Sequence, residues 1–319
     1  MKRAAEPVLR DQQNIQILSR WITLPREEAP ETVAFLSGAA LATLDVVLRD
    51  PNGILPGALL RDRLALEAAV ACLKLEGRNE STSAIRDAVC LARPVRLGRA
   101  GDALGPAGEM FVAWRRLARI NLAPSGWKDR VAKVLPASMV DEALSQLGAL
   151  SGTPVGQASE ILAGALREFP REEAAALMLA DVALARAIGW DRPVPLLATY
   201  MARKDIRAIA DGASDPSLCV HRARIGACDG AIRGAADLDR RVAKLRAVAP
   251  KLRAKGSDEA LSLFLSHDAV SPSGMLSPMI KGTSFAMTDR AARRLCDRLV
   301  ELGVVCELTG RPTFRLYGV

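Results

Sequence analysis

The stretch TDRAARRLCDRLVELGVVCELTGRPTFRLYG, residues 288–318, decides how the C-terminal part of the chain is expected to fold. Thr288 suits a helix start, because its side-chain oxygen accepts hydrogen bonds from unpaired first-turn amides. Gly303 stands where a left-handed helix cap is expected. Apolar residues at helical spacing predict one buried face, formed by Ala292, Leu295, Cys296, Leu299 and Leu302.

Two β-prone runs follow this helix, 304–308 and 313–317, joined by a Thr-Gly-Arg-Pro turn. Upstream lie an apolar helix over 258–265 and a loop rich in Ser, Pro and Gly over 266–283. The order helix, helix-bearing loop, helix and hairpin is typical of a winged helix-turn-helix, whose second helix enters the major groove of DNA. The sequence therefore predicts such a domain over 257–319.

Basic side chains on this predicted domain indicate duplex binding. Arginine pairs with guanine edges through two hydrogen bonds, a contact that contributes ~1–3 kcal/mol of base discrimination. Arginines on a wing contact phosphates, which hold the protein in register. The simpler alternative is a solvated helix face that binds nothing. The predicted DNA-binding residues are Lys281 in the loop, Thr288, Arg290, Arg293 and Arg294 on the helix, and Arg311 and Arg315 on the hairpin.

Composition predicts a mainly α-helical protein. The chain has 319 residues, half of them apolar and only 4% aromatic, and Ala and Leu dominate. This length favours about two domains, and this composition favours helix-on-helix packing. We expect a flexible tail at 1–20, an all-α body at 21–249, a basic linker at 250–256 and the winged domain at 257–319.

The positive charge of the chain is unevenly placed. The net charge is +8, and residues 240–255 hold seven Lys or Arg and no acid. Residues 256–319 hold seven basic and seven acidic residues and are neutral overall. The basic segment lies just before the predicted winged domain, where it is suited to contact phosphates in a salt-dependent manner. The alternative is a solvated helix end, because basic residues also favour a helix C-terminus.

The sequence carries no motif typical of an enzyme. Its two histidines, His221 and His267, lack neighbours that indicate a nucleophile and base. Metal-ligand spacing and phosphate-binding glycine loops are absent. The six cysteines form no CxxC pair, which favours reduced buried thiols. We therefore expect no catalytic residues, no cofactor and no metal.

Hydropathy predicts no membrane span, because charged residues such as Asp45 interrupt the apolar runs. Residues 1–14 lack an apolar signal core, so we expect the protein to stay in the cytoplasm. A long helix over 217–249 carries Gly226, Gly230 and Gly234 on one face. Small residues at this spacing let two helices approach closely, which is more often packing than function, although each glycine costs a helix ~1 kcal/mol.

Residues 64–89, LALEAAVACLKLEGRNESTSAIRDAV, resemble the helical N-terminal domain of Fic-type nucleotidyl transferases. In that domain a helix ends in an Ile-Glu-Gly turn after a Ser pair. Leu75-Glu76-Gly77 matches the turn, whereas Cys72 replaces a serine and Lys74 departs from the pattern. The His-Pro-Phe signature of the catalytic core is missing, which argues against adenylyl transfer. The residues alone predict that Glu76 and Gly77 form the C-terminal end of a helix, with Gly77 as its cap.

A longer resemblance spans most of the chain. FLSGAALATLDVVLRDP, GDALGPAGEMFVAWRRLARINL and AIGWDRPVPLL are similar to the domain-of-unknown-function family 1403, found in rhizobia and related alphaproteobacteria, often on plasmids. Residues 307–318 are also similar to the end of a related group that joins a Fic-like region to a helix-turn-helix. The resemblance implies a helical body with a DNA-binding-like C-terminal part.

These observations favour a DNA-binding protein that takes part in transcriptional or plasmid-associated regulation, with double-stranded DNA as its partner and no membrane contact. The alternative is a non-enzymatic helical interaction module whose winged domain contacts protein, with a homodimer or another protein held by the helical body. A third interpretation is a degenerate relative of a Fic toxin that acts as an antitoxin-like partner.

Overall fold

The protein is mainly helical, as predicted, with one small two-stranded sheet near the C-terminus. The computed structural model describes residues 15–23, 29–50, 55–91, 104–149, 151–252 and 255–319. Most of the predicted tail at 1–20 and two residues of the predicted basic linker lie outside these ranges.

Helices make up most of the described part of the body. They are α1 (Arg20–Thr23), α2 (Pro30–Arg49), α3 (Gly57–Leu75), α4 (Thr82–Cys90), α5 (Gly105–Arg119), α6 (Trp127–Ala132), α7 (Val140–Ala149), α8 (Pro154–Glu168), α9 (Glu173–Ile188), α10 (Leu197–Tyr200), α11 (Arg203–Ala210) and α12 (Pro216–Val248). Short 3-10 turns, Ala137–Met139 and Ala249–Lys251, precede α7 and follow α12.

The C-terminal unit, residues 257–319, contains α13 (Ser257–Phe264), α14 (Asp289–Glu301), β1 (Cys306–Glu307) and β2 (Tyr317–Gly318). The two strands pair antiparallel, and Val270 bridges to Tyr317 beside them. Between α13 and α14 the sequence predicts a loop that bears a helix. The structure has instead a five-residue π-helical turn, Pro272–Leu276, which Gly274 interrupts with a φ of 92°.

Side-chain caps and glycines set the helix ends where the sequence predicts them. Thr288 accepts a hydrogen bond from the amide of Ala291 at 3.3 Å and caps α14. The helix α3 ends at Leu75, and Gly77 then takes a φ of 81°. The amides of Gly77 and Arg78 donate hydrogen bonds to carbonyls in the last turn of α3, those of Lys74 and Leu73, as in a glycine-capped helix. The glycine-cap interpretation of this segment is therefore confirmed.

The long helix α12 forms the centre of the body. Its 33 residues give it a length on the order of 50 Å. It packs against α2, α8 and α10, while α8 packs on α9 and α3 packs on α5. The buried faces are mostly Ala and Leu, so the helices approach closely without large side chains between them.

One fully buried ion pair lies inside this body. Arg224 of α12 and Asp181 of α9 meet at 3.3 Å, and neither side chain is exposed. The carboxylate of Asp181 also accepts hydrogen bonds from the amides of Leu196 and Leu197, which start α10. Burial raises the pKa of Asp181 despite this pairing. The pair therefore ties three helices together at a point where an unpaired charge would be costly.

The helix α2 is the segment to compare with the prediction that the chain has no membrane span. It is long and apolar enough to cross a membrane, with a mean hydropathy of 1.6 over 18 residues, although core helices of other proteins meet the same criteria. In the structure α2 packs against α12. Asp45 within it accepts hydrogen bonds from Trp190 and Arg49 at 2.7 and 2.8 Å.

The glycines of α12 differ in what they contact. The ring of Tyr200 lies on Gly226 and Gly230, where an added Cβ would come within 2.7 Å of Cδ1 and 2.1 Å of the hydroxyl oxygen. At Gly234 the nearest atom to an added Cβ is Leu60 Cδ1, at 3.9 Å. Two of the three glycines thus make room for one tyrosine, in agreement with the predicted close approach.

A buried ionic network joins the C-terminal unit to the body. Asp62 of α3 is 2% exposed, and its carboxylate accepts hydrogen bonds from the amide of Asp268 at 2.9 Å and from Arg119 at 3.1 Å. Asp268 in turn accepts a hydrogen bond from Arg86 of α4 at 3.1 Å. Arg63 lies 3.6 Å from Asp268 and donates to the carbonyl of Val319. The network fixes the segment after α13 against α3, α4 and α5.

The glycine contacts predict a stability order for alanine substitutions in α12. Gly234→Ala should raise the free energy of unfolding by up to ~1 kcal/mol, because alanine favours helix and the site has room. Gly226→Ala should lower it by ~1–3 kcal/mol, because the tyrosine ring must move. Urea denaturation followed by circular dichroism gives both values. Equal effects at the two positions would contradict the role of Tyr200.

The ionic network predicts that Asp62→Ala lowers the free energy of unfolding by ~1–3 kcal/mol, because it leaves the buried amide of Asp268 without its acceptor and removes the carboxylate that Arg115 and Arg119 face. Asp237→Ala is the matched control. Asp237 pairs with Arg240 and Arg241 at the surface and is 42% exposed, so its loss should cost less than ~1 kcal/mol. A comparable loss for both variants in denaturant titrations would show that the network does not stabilise the fold.

Candidate functional site

The first two turns of α14 carry the arginines that the sequence singles out. Ala292, Leu295, Cys296 and Leu299 are buried, as predicted, whereas Leu302, predicted with them, is only partly buried. Arg290, Arg293 and Arg294 are exposed on the other side of the helix. Arg293 pairs with Asp289 at 2.7 Å. Arg290 and Arg294 form no ion pair with any residue that the structure describes. This face of the helix is therefore basic and accessible.

The hairpin arginines are engaged by neighbouring groups. Arg311 pairs with Asp87 of α4 at 2.7 Å and also donates to the carbonyl of Phe314 at 3.2 Å. Arg315 donates through Nε to the carbonyl of Arg311 at 2.9 Å. The carboxylate of Glu307 accepts hydrogen bonds from the turn amides of Thr309 and Gly310. The pair of Arg311 with Asp87 joins the hairpin to the body, and the other contacts fix the shape of the hairpin itself.

Three of the predicted residues come together at a cavity of about 980 Å³. Lys281, Arg293 and Arg315 line it from the C-terminal unit. The opposite wall comes from the body and includes Cys90 of α4 and Arg115 of α5. Thr288, Arg290, Arg294 and Arg311 do not line the cavity. The predicted site residues thus divide between an exposed helix face and an adjoining cavity.

The charge of this cavity is unbalanced. Four cationic side chains line it, whereas Asp297 provides the carboxylate among the described lining residues. Three of the cations have acidic neighbours outside the lining: Arg115 lies 4.0 Å from Asp62, Arg293 pairs with Asp289, and Arg315 interacts electrostatically with Glu307. Lys281 forms no ion pair with a described residue. Its backbone amide donates to the carbonyl of Met275 at 2.8 Å, which fixes the loop.

His267 reports the positive potential at the cavity wall. Its pKa is lowered to about 4, first by burial and then by the charges of Arg119, Lys281 and Arg115. Its Nδ1 lies 3.0 Å from the hydroxyl of Ser266. That hydroxyl also contacts the carbonyls of Ser262 and Leu263. The pair is therefore not an activated nucleophile with its base, which requires a hydroxyl free to give its proton to the imidazole.

Basic residues before the C-terminal unit extend the charge of this side of the chain. Arg240 and Arg241 pair with Asp237, whereas Lys244, Lys251 and Lys255 are exposed. Gly256, next to Lys255, packs against the loop that carries Lys281, because an added Cβ would lie 3.1 Å from Ile280. Arg253 of the predicted basic segment lies outside the described residues.

Comparison with known proteins gives a family and no activity. A family model described as "Protein of unknown function (DUF1403)" matches residues 6–319. The chain belongs to this family. The resemblance to family 1403 is therefore confirmed. The alphaproteobacterial origin, the likeness of residues 307–318 to a helix-turn-helix group and the likeness of residues 64–89 to Fic proteins stay predictions. No curated protein and no solved structure matches this DUF1403 chain.

Sequence reasoning missed part of this site. Arg115 reaches the cavity from α5, Cys90 from α4 and His267 from the loop after α13. These residues are far apart in the sequence, so no local motif of this DUF1403 protein contains them. A signal was present in the pair Arg115 and Arg116 next to a run of core residues, because an arginine on a mostly apolar helix needs a partner. Among the described residues, no group of three or more His, Cys, Asp or Glu side chains lies close enough together to hold a metal ion.

The electrostatics of the cavity predict the titration of His267. At pH 7 it is neutral in the folded protein, and its unfolded pKa is about 6.5. Its contribution to stability is thus present above about pH 6.5 and is lost as the pH falls through its folded pKa of about 4. Lys281→Met should raise this pKa, because it removes one of the cations that lower it.

The measurement is an NMR titration of the imidazole protons, which is simple because the chain has only two histidines. His221 is the internal control: its pKa is lowered by burial and by Arg224, so Lys281→Met should leave it unchanged. A pKa of His267 near its unfolded value in the wild type would contradict the description of the cavity.

Proposed function

We propose that this protein binds double-stranded DNA through its C-terminal unit, in transcriptional or plasmid-associated regulation. One observation carries the proposal: Arg290, Arg293 and Arg294 project from the exposed side of the first two turns of α14. In helix-turn-helix proteins this part of the recognition helix faces the base edges. Two of these arginines have no described ionic partner to lose on binding.

The order of elements supports a winged helix-turn-helix interpretation of the unit. The helix α13 is joined to α14 by the connection over residues 265–288, α14 follows as the reading helix, and the sheet of β1 and β2 provides the wing. The turn Pro272–Leu276 stands where such domains have a further helix. Thr288 caps the end of α14 that would approach the duplex, and its first amides favour phosphate contact.

Phosphate contacts would come from lysines beside the reading helix. Lys281 lies in the loop before it, and Lys251 and Lys255 are exposed on the segment that packs next to this loop. Lysine neutralises phosphates as a point charge and makes binding salt-dependent. Arg311 is less suited to this role than the sequence indicates, because its guanidinium group is held by Asp87.

The alternative function is a protein-interaction module. The C-terminal unit is neutral overall and exposes Met279, Phe285 and Phe314. On the body, Trp21 and Phe35 are also exposed and stack with ring centroids 6.0 Å apart. Exposed aromatic side chains are enriched at protein interfaces. These residues favour a protein partner or a second copy of the chain.

The test of DNA binding uses duplexes captured from genomic fragments by the purified protein. Fluorescence anisotropy then compares wild type with the double variant Arg290→Ala and Arg294→Ala. We expect the variant to bind at least tenfold more weakly, because each base-contacting arginine contributes about 1–3 kcal/mol. The slope of log affinity against log salt should become shallower by up to about two, if both arginines also neutralise phosphates.

The matched control removes two exposed arginines from the body, Arg171→Ala and Arg207→Ala. It should bind DNA like the wild type, and thermal melts should show that all three proteins are folded. A double variant of α14 that binds as tightly as the wild type would overturn the site. Failure of the wild type to capture any duplex at low salt would favour the protein-interaction alternative.

A further inference from the structure

The cavity between the C-terminal unit and the body has the size of a small-molecule site. Ligand pockets commonly enclose about 300–1,000 Å³, and this cavity encloses about 980 Å³. It lies between elements that the Asp62 and Asp268 network holds together, so its walls are fixed by buried contacts. A pre-formed cavity of this kind binds a ligand without first reorganising the protein.

Its lining combines cations with apolar side chains. Lys281, Arg115, Arg293 and Arg315 face one carboxylate, that of Asp297, among the described lining residues. Like charges gathered at one cavity repel each other, and an anion removes this cost. Lys281 is the best placed to receive it, because it forms no ion pair with a described residue and its loop is anchored to the carbonyl of Met275.

Phe314 is an independent sign of a binding site. It lines the cavity, is 72% exposed and has a φ of 53°. A bulky side chain rarely takes this left-handed conformation, which costs ~1–2 kcal/mol. Arg311 keeps it in place by donating to its carbonyl at 3.2 Å. Strained residues cluster at ligand sites, where the surrounding structure holds them for binding.

We propose that this cavity binds a free organic anion that carries one acidic group on an apolar body. The acidic group pairs with Lys281 and with the guanidinium groups of Arg293 and Arg315. The apolar body packs against Phe314 and Met275, which both line the cavity. The test of this proposal contains no duplex, so its outcome does not depend on whether the protein binds DNA.

The test compares two dyes with the same aromatic body. 8-Anilinonaphthalene-1-sulfonate carries an anionic group, whereas N-phenyl-1-naphthylamine is uncharged. We expect the wild type to bind the sulfonate about tenfold more tightly at pH 7.5 and low salt. Lys281→Met and Arg293→Ala should each weaken sulfonate binding about tenfold and leave the uncharged dye unaffected. Phe314→Ala should weaken both dyes.

Arg298→Ala is the matched control for Arg293→Ala. Both arginines are exposed on α14 and paired with an acid of the same helix, but Arg298 pairs with Glu301 and does not line the cavity. It should leave both dyes unaffected. Phe35→Ala should also leave the affinity unchanged, which separates the cavity from exposed aromatic residues on the body. Circular dichroism melts verify that each variant is folded.

Competition with three eight-carbon compounds identifies the acidic group. Octanoate or octyl phosphate should displace the sulfonate dye. The compound that displaces it at the lower concentration shows whether the acidic group of the natural ligand is a carboxylate or a phosphate. Octanol should not displace it. Equal affinity for the two dyes, displacement by octanol as effective as by both acids, or an Arg298→Ala loss equal to that of Arg293→Ala would overturn the proposal.

Discussion

The hydrogen bond from the amide of Asp268 to the carboxylate of Asp62 is the contact on which the arrangement of this protein depends. It is buried, and it joins a helix of the body to the backbone of the C-terminal unit. Burial raises the pKa of Asp62, while that amide, Arg119 and Arg115 oppose the shift. The contact lies where water is excluded, so the amide and the carboxylate interact more strongly than they would in solvent.

Two surfaces follow from this attachment. One is the outward side of α14, where arginines meet solvent, and the other is the cavity that forms because the unit lies against α4 and α5. Arg293 belongs to both surfaces. Positive charge is therefore concentrated at the junction of the two parts, although the C-terminal unit taken alone is neutral. Asp268, an acid of the C-terminal unit, points inward and pairs with Arg63 and Arg86 of the body, so it does not offset the positive charge on the outward side.

The sequence predicts the helices well because their ends are encoded locally. Thr288, Gly303 and Gly77 mark boundaries through a side-chain cap or a left-handed backbone, and the structure places each boundary there. The hairpin strands are shorter than predicted. The carboxylate of Glu307 accepts hydrogen bonds from the amides of Thr309 and Gly310, so these amides do not pair across the hairpin. Phe314 has a left-handed backbone conformation, which interrupts the second strand. The cavity was not predictable from local patterns, since Arg115 and Lys281 meet only through the tertiary packing of distant segments.

The placement of the cysteines has a practical consequence for labelling. Burial raises the pKa of Cys72, Cys228 and Cys296 to about 12, which leaves these thiols protonated and inert. Cys306, in contrast, is exposed on β1. A thiol-directed fluorophore or spin label therefore has an accessible attachment point on the hairpin of the natural protein. From there it can report on the surroundings of the C-terminal unit without an engineered cysteine.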